Sequence, residues 1–243
     1  MTASEAAVRT VAVLGFHKIG APPPGARPTW NYVSEDVFAG YLEFLRDEGF
    51  VVLGHAAFEA ALDEPESLPE RAAMLTFDDG YRSMLRVAEP ILAGFGYPSV
   101  LFVPTDYVGS TNRFDADREP VEPMCDWDEL RELSARGVSI QSHGVTHRTF
   151  TDLAASARDD ELRRSKDALE SALDVPVDAF AFPYGDGGDD ATAVGEVLLA
   201  CGYRAAYLYG GGRTRVPAPD RFRLTRIPVG PESDIAKKLF TDP

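Results

Sequence analysis

Cysteine is almost absent from this sequence: Cys125 and Cys201 are the only two in 243 residues. Two cysteines cannot build a disulfide framework, and no paired spacing suggests a thiolate metal site. Cys201 continues the helical series Val194, Val197, Leu198 and is expected to be a small buried hydrophobe. Basic residues are scarce as well, with Lys+Arg 24 against Asp+Glu 39 and a formal net charge of −15. That argues against a nucleic-acid partner, whose backbone needs clustered Lys and Arg to replace its counterions, and against an anionic membrane surface. No stretch reaches the apolar length of a membrane span, and Met1-Thr2-Ala3-Ser4-Glu5 lacks the basic start and apolar core of an export signal. The expected location is therefore cytoplasmic. Internal repeats, low-complexity tracts and long linkers are missing too. A single domain over 1–243 is expected, with 1–10 as a flexible N-terminal segment.

What the sequence does contain is alternation. Short apolar runs at Val11 to Phe16, Phe50 to Leu53, Ala72 to Phe77, Ser99 to Val103, Val138 to Gln141, Val177 to Phe182 and Tyr203 to Leu208 are separated by helical patterns. A weaker extended segment, Phe222 to Val229, follows. Helix ends are legible: Ser34 before Glu35-Asp36 with Gly49 at the close, Asp126 before Trp127, Asp189 or Asp190, and Ser233. The longest helical stretch runs from Thr151 to Leu173. Repeated strand and helix units predict an α/β fold with a mainly parallel sheet, and seven or eight of them favour closure as a barrel. The irregular stretches Gly20 to Val33 and Pro104 to Cys125 each follow a strand and are expected to wall a site.

In a parallel barrel the chemistry gathers where the strands end. The first strand ends at His17, the third at Asp78-Asp79, the fifth at Ser142-His143-Gly144-Val145-Thr146-His147 and the sixth at Pro183-Tyr184-Gly185. Three of the four histidines thus sit at strand ends. Adjacent carboxylates on a strand point in different directions, so one can hold a metal while its neighbour remains a base. A solvated Asp-Asp-Gly turn is the plain alternative. His143 and His147, spaced i, i+4, would present both rings to one side if helical, and two His with one carboxylate make a metal triad with open positions. One divalent ion is expected: zinc first, with iron, cobalt or nickel suited to the same donors.

Thr76-Phe77-Asp78-Asp79-Gly80-Tyr81 and Ser142-His143-Gly144-Val145-Thr146-His147 together resemble the first two motifs of the polysaccharide deacetylase family, also called the NodB-homology domain. Trp127-Asp128-Glu129-Leu130, Phe180-Ala181-Phe182-Pro183-Tyr184-Gly185 and Val13-Leu14-Gly15-Phe16-His17 are similar to that family as well, so the resemblance covers nearly the whole chain. It implies a distorted (β/α) barrel of about seven parallel strands, with the active site at their C-terminal ends. The implied activity is metal-dependent hydrolysis of N-acetyl groups on sugars by an activated water. Carried over by position, Asp79, His143 and His147 would bind the metal and Asp78 would be the general base. The backbone N–H of Tyr184 would share the oxyanion with the metal, and Pro183 and Tyr184 would touch substrate.

Two departures qualify that reading. Ala181 stands where the family usually keeps an arginine that orients the base. Arg226 is a candidate replacement, with a surface ion pair as the alternative. No histidine after His147 can fill the family's C-terminal acid position. Because the first and last strands of a closed barrel are neighbours, His17 is taken as the general acid, or else as a structural partner of a carboxylate. His55 lacks such context and is expected at the surface. Trp30 is expected at the cleft rim as a sugar platform, Trp127 in packing, and Asn112, Arg113 and Asp115 in a loop that could reach substrate. The leading reading is an N-deacetylase of a saccharide. The alternatives are a deacylase or deformylase of a small intracellular amide or amino sugar, and a non-catalytic carbohydrate-binding relative.

Overall fold

The computed structural model describes residues 8–240. Its strands are β1 (Arg9–Phe16), β2 (Lys18–Ile19), β3 (Tyr32–Val33), β4 (Val51–Val52), β5 (Ala72–Phe77), β6 (Ser99–Val103), β7 (Val138–Ser142), β8 (Ala179–Ala181), β9 (Ala205–Tyr207), β10 (Thr214–Val216) and β11 (Ile227–Pro228). The helices are α1 (Glu35–Asp47), α2 (His55–Asp63), α3 (Glu89–Phe95), α4 (Trp127–Ala135), α5 (Ala155–Leu173), α6 (Ala191–Ala200) and α7 (Ile235–Phe240). No described helix is long and apolar enough to cross a membrane.

The main sheet runs β10-β1-β5-β6-β7-β8-β9, with β4 beside β5 and β11 beside β1. Every pairing in it is parallel except β10 with β1, an antiparallel strand that the apolar pattern did not announce. The fold is thus a mixed α/β structure with a curled, mostly parallel sheet, and all seven predicted runs contain strands. The segment from Arg221 to Val229 spans the gap between β9 and β1. Ala206 N donates to Arg221 O (2.9 Å), Leu208 N to Leu224 O (2.9 Å) and Val229 N to Gly15 O (2.9 Å). The weak extended pattern over Phe222 to Val229 is therefore the piece that closes the ring. Of the expected flexible segment 1–10, residues 1–7 lie outside the described residues, whereas Arg9 and Thr10 already pair with Val216 and Arg215.

Alternation along the strands divides the apolar residues between two cores. Val11, Val13, Met74, Val100, Phe102 and Tyr207 fill the inside of the curled sheet, where Phe58 of α2 joins them. Leu14, Phe16, Leu75, Phe77 and Leu101 face outward against the helices. Both faces are covered, which is why all six residues of β5 are buried and only Thr76 among them is polar.

Local signals hold at most helix ends. Ser34 accepts from Val37 N at the start of α1, and Asp126 and Glu129 form a capping box on α4. At α7 the cap differs from expectation: Asp234 accepts from Lys237 N (2.9 Å), while Ser233 accepts from Gly230 N (3.0 Å) in the preceding turn. The longest helix starts at Ala155, not Thr151. His55 also differs, being buried at the start of α2 with Nε2 2.5 Å from Asp178 Oδ1. No local pattern encodes that partner, which lies just before β8.

Candidate active site

Parallel register brings the polar strand ends together. Phe16 pairs with Phe77, so His17 and Asp78 follow matched positions on neighbouring strands, and Asp78 N donates to Phe16 O (3.0 Å). Val103 pairs with Ser142, and His143 N donates to Val103 O (3.0 Å) at the end of β7. The result is a cleft of ≈ 330 Å³ whose lining includes His17, Asp78, Asp79, His143, His147 and Tyr184. Four non-glycine residues among those described have positive φ, and three are in this site: Asp79 (74°), His147 (56°) and Tyr184 (57°). Such conformations are uphill for residues with a Cβ and persist only where surroundings enforce them, a common mark of functional sites.

Asp79, His143 and His147 form one cluster whose ligand atoms all lie within 4.8 Å of one another. His143 Nε2 is 3.4 Å and His147 Nε2 3.0 Å from Asp79 Oδ1. All three side chains are buried, yet Asp79 Oδ1 has no hydrogen-bond partner. Three ligand atoms thus crowd together with no hydrogen bond to Asp79 Oδ1. His143 Nδ1 is 2.7 Å from Ala181 O, so it carries the proton and leaves Nε2 as a free lone pair. Two imidazoles and one carboxylate with an orphaned oxygen fit a divalent cation of the N/O-binding class. Burial pushes the Asp79 carboxyl up, but His147 and His143 more than offset it, so the group is ionised.

Asp78 faces a different partner. Arg226 Nη1 is 2.6 Å from Asp78 Oδ1 and Nη2 is 2.8 Å from Oδ2, a bidentate pair with Arg226 fully buried. The guanidinium is fixed on every side: Nε donates to Leu208 O (2.8 Å), Nη1 to Thr76 Oγ1 (3.2 Å), and the rings of Phe102 and Tyr209 lie 5.3 and 5.1 Å from its carbon. Burial raises the Asp78 carboxyl and the Arg226 charge, aided by His143, outweighs it, leaving the carboxyl below its ordinary value. The surface-pair alternative for Arg226 is thereby removed. His17 stands beside this pair, its Nδ1 3.4 Å from Tyr209 Oη. Burial lowers the His17 imidazole below its ordinary value, with Asp79 and Asp78 pulling the other way.

The remaining predicted residues separate. Tyr184 is half exposed, lies edge-on to His147 at 4.7 Å and donates its hydroxyl to Asp115 Oδ1 (2.8 Å). Its backbone N–H belongs to the single turn Pro183–Gly185, too short to provide an intrahelical acceptor. Pro183 is buried beneath that turn, so of the two only Tyr184 lines the cleft. Trp30 is at the cleft edge, 48% exposed. Trp127 packs against the core as expected. Asn112 is fully buried and braces its own loop through Pro120 O and Glu122 N (3.0 and 2.7 Å).

Three features escaped the sequence. Glu161 of α5, buried, accepts from Val145 N (2.6 Å), Thr146 N (2.9 Å) and Thr146 Oγ1 (2.5 Å), clamping the turn between the two histidines. Gly144 has φ +82° and a Cβ there would meet Glu161 Oε2 at 2.9 Å, so glycine is required for that clamp. Tyr209 donates to Gly15 O (3.1 Å) and walls the cleft between His17 and Arg226. Lys18 is buried, with Nζ 2.6 Å from Glu119 Oε2, which also receives Thr29 Oγ1 (2.6 Å), while Asn31 Nδ2 reaches Glu119 Oε1 (2.8 Å). That network ties together the two irregular stretches on either side of the cleft. An acidic residue inside a charged helix and a lysine after a histidine carry no local signal of such roles.

Comparison with known proteins agrees with this geometry. The family model described as Polysaccharide deacetylase matches residues 66–206, more than half of the chain. The Putative polysaccharide deacetylase YxkH of Bacillus subtilis is 21% identical over 164 residues, covering 68% of this chain and 55% of that protein. The Poly-beta-1,6-N-acetyl-D-glucosamine N-deacetylase of Escherichia coli K12 is 26% identical over 235 residues, covering 82% of this chain and 34% of that protein. The chain therefore spans about half and about a third of the lengths of these two relatives. Among solved structures, the Streptococcus pyogenes deacetylase PplD in complex with acetate superposes with a TM-score of 0.80 at 24% identity, covering 96% of this chain and 99% of that one. At that identity the likeness establishes the fold.

Proposed function

The chain belongs to the polysaccharide deacetylase family, and we propose that it is a divalent-metal-dependent hydrolase removing the N-acetyl group from an N-acetylated amino sugar of a saccharide chain. The observation that carries this is the pairing of unequal carboxylates: Asp79 with two histidines and an orphaned oxygen, Asp78 with a buried bidentate arginine. Bound at Asp79, His143 and His147, zinc (or cobalt, nickel or iron) would supply Lewis acidity toward the amide carbonyl and lower the pKa of an attacking water. Asp78, held ionised and aimed by Arg226, takes the proton from that water. The N–H of Tyr184 donates to the oxygen that becomes negative as the carbonyl carbon turns tetrahedral. His17, on the neighbouring strand end, delivers a proton to the departing amine nitrogen; burial holds its imidazole below the ordinary value, which favours giving the proton up, while the charges of Asp79 and Asp78 pull the other way.

The non-catalytic reading rested on the missing arginine at Ala181. A guanidinium reaches Asp78 from Arg226 instead, so that objection lapses. The test is acetate release by metal-loaded protein from N-acetylglucosamine oligomers, with small N-acyl and N-formyl compounds as competitors. Release that disappears on chelation and in Asp78→Asn at unchanged metal content is expected. Full turnover by Asp78→Asn, or none by the metal-loaded wild type on any of these, refutes the reading.

A further inference from the structure

Tyr209 touches both ends of the proposed proton path. Its hydroxyl is 3.4 Å from His17 Nδ1, its ring stands edge-on to the imidazole with centroids 5.1 Å apart, and its ring centroid lies 5.1 Å from the guanidinium carbon of Arg226. The backbone on either side is tied to the same arginine. Leu208 O accepts from Arg226 Nε (2.8 Å), Gly210 N donates to Arg226 O (3.1 Å) and Arg226 N donates to Gly210 O (3.2 Å). Two glycines make room for the residue: a Cβ at Gly15 would meet Tyr209 Cε2 at 2.7 Å, and one at Gly185 would meet Tyr209 N at 2.6 Å. The ring is therefore seated against β1, and the turn that carries the Tyr184 N–H packs on its backbone.

A phenol has one proton to give. The shorter contact of Tyr209 Oη is with Gly15 O (3.1 Å), a carbonyl whose two lone pairs then serve Val229 N (2.9 Å) and the phenol. Oη is left as an acceptor toward His17, so its partner Nδ1 carries the hydrogen. In that tautomer the lone pair is on Nε2, the nitrogen left for the cleft. A ring held at one nitrogen presents the other in a fixed direction, with little reorganisation at the moment of transfer.

We propose that Tyr209 is the positioning residue of His17, holding Nδ1–H so that Nε2 alone takes up and releases the proton that goes to the departing amine. This rests on the deacetylase reading and assigns the support of its acid. Nε2 takes a proton from solvent beforehand. As the C–N bond breaks, that proton passes to the nitrogen and the imidazole returns to the neutral Nδ1–H form.

Tyr209→Phe keeps the ring against Arg226 and removes only the hydroxyl. In zinc-loaded protein with histidine labelled at the ring nitrogens, proton–nitrogen correlation spectra read the tautomer, and the signals lost in His17→Ala identify those of His17. Wild type is expected to show Nδ1–H at His17, and Tyr209→Phe to convert it wholly or partly to Nε2–H. The second measurement compares N-acetylglucosamine oligomers with p-nitrophenyl acetate, whose phenolate leaves without a proton. Tyr209→Phe is expected to lower kcat on the amide about tenfold, a part of the roughly 10²–10⁴ of general acid catalysis, with KM, metal content and the ester rate unchanged. A merely structural role would lower both rates together.

If wild-type His17 is the Nε2–H tautomer, or Tyr209→Phe leaves its spectrum unchanged, the assignment is overturned while the deacetylase reading stands. The same holds if the amide rate is unchanged or falls together with the ester rate. If the spectra behave as expected but wild type turns over no N-acetyl sugar, the tautomer assignment stands and the deacetylase reading falls.

Discussion

Replacing Arg226 by methionine keeps much of its volume but removes the four hydrogen bonds it makes, two of them to Asp78. Arg226 is fully buried and Asp78 nearly so, and among the described residues no other cation is bonded to that carboxylate. Removing one partner of such a pair leaves an uncompensated buried charge, and the expected loss of stability is about 3–5 kcal/mol. Asp78→Asn in the same background removes that charge, so the double variant should recover part of the loss. The interaction term of the cycle should then lie at about 0.5–3 kcal/mol or above. Urea denaturation of the four proteins measures it. As a positioning residue for the proposed base, Arg226 should also govern the rate. In Arg226→Met kcat should fall by about 10²–10⁴, the range of general base catalysis, with KM little changed. Arg226→Lys should restore only part, since an ammonium cannot reproduce the fork geometry. Penalties that add to within about 0.5 kcal/mol, or wild-type kcat in Arg226→Met, would refute the assignment.

Glu161→Gln cannot accept both backbone N–H groups as strongly on one oxygen, and metal affinity measured by competition with a fluorescent chelator should drop about 10- to 100-fold; unchanged affinity removes Glu161 from the site's support. His17→Ala should lower kcat by about 10²–10⁴ while bound metal, measured by elemental analysis, stays at the wild-type level. At the far side of the sheet, burial pushes the Asp178 carboxyl up and the hydrogen bond and charge of His55 bring it below its ordinary 3.8. A depressed carboxylate contributes stability above its unfolded pKa and loses it as pH falls through the folded value. Asp178→Asn should therefore cost about 1–3 kcal/mol at pH 7, and thermal melts of the two proteins should converge below about pH 4; a gap that persists at lower pH contradicts this account.

The candidate metal cluster was legible because each of its parts sits in a local pattern. Asp79 ends an apolar run, and His143 and His147 follow the next-but-one strand within five residues of each other. Strand position alone sends all three to the same end of a parallel sheet. Arg226 was visible only as a candidate, because its partner is 148 residues away and its segment has a weak strand pattern. Glu161 was not visible at all: in a helix rich in Asp, Glu and Arg, one acidic side chain turned inward resembles those turned outward. His55 was misplaced for the same reason, since Asp178 reaches it through the packing of α2 against the barrel floor.

Periodicity and strand-end chemistry by themselves determined the alternating α/β architecture and the gathering of the candidate ligands Asp79, His143 and His147 at one end of the sheet, because these depend on neighbours a few residues apart, and the family resemblance added which of Asp78 and Asp79 would hold the metal. Tertiary structure decided what supports them. The closing segment that carries Arg226 to Asp78 and the Glu161 clamp on the histidine turn both arise where distant strands and loops meet, and no local spacing specifies which of them will touch.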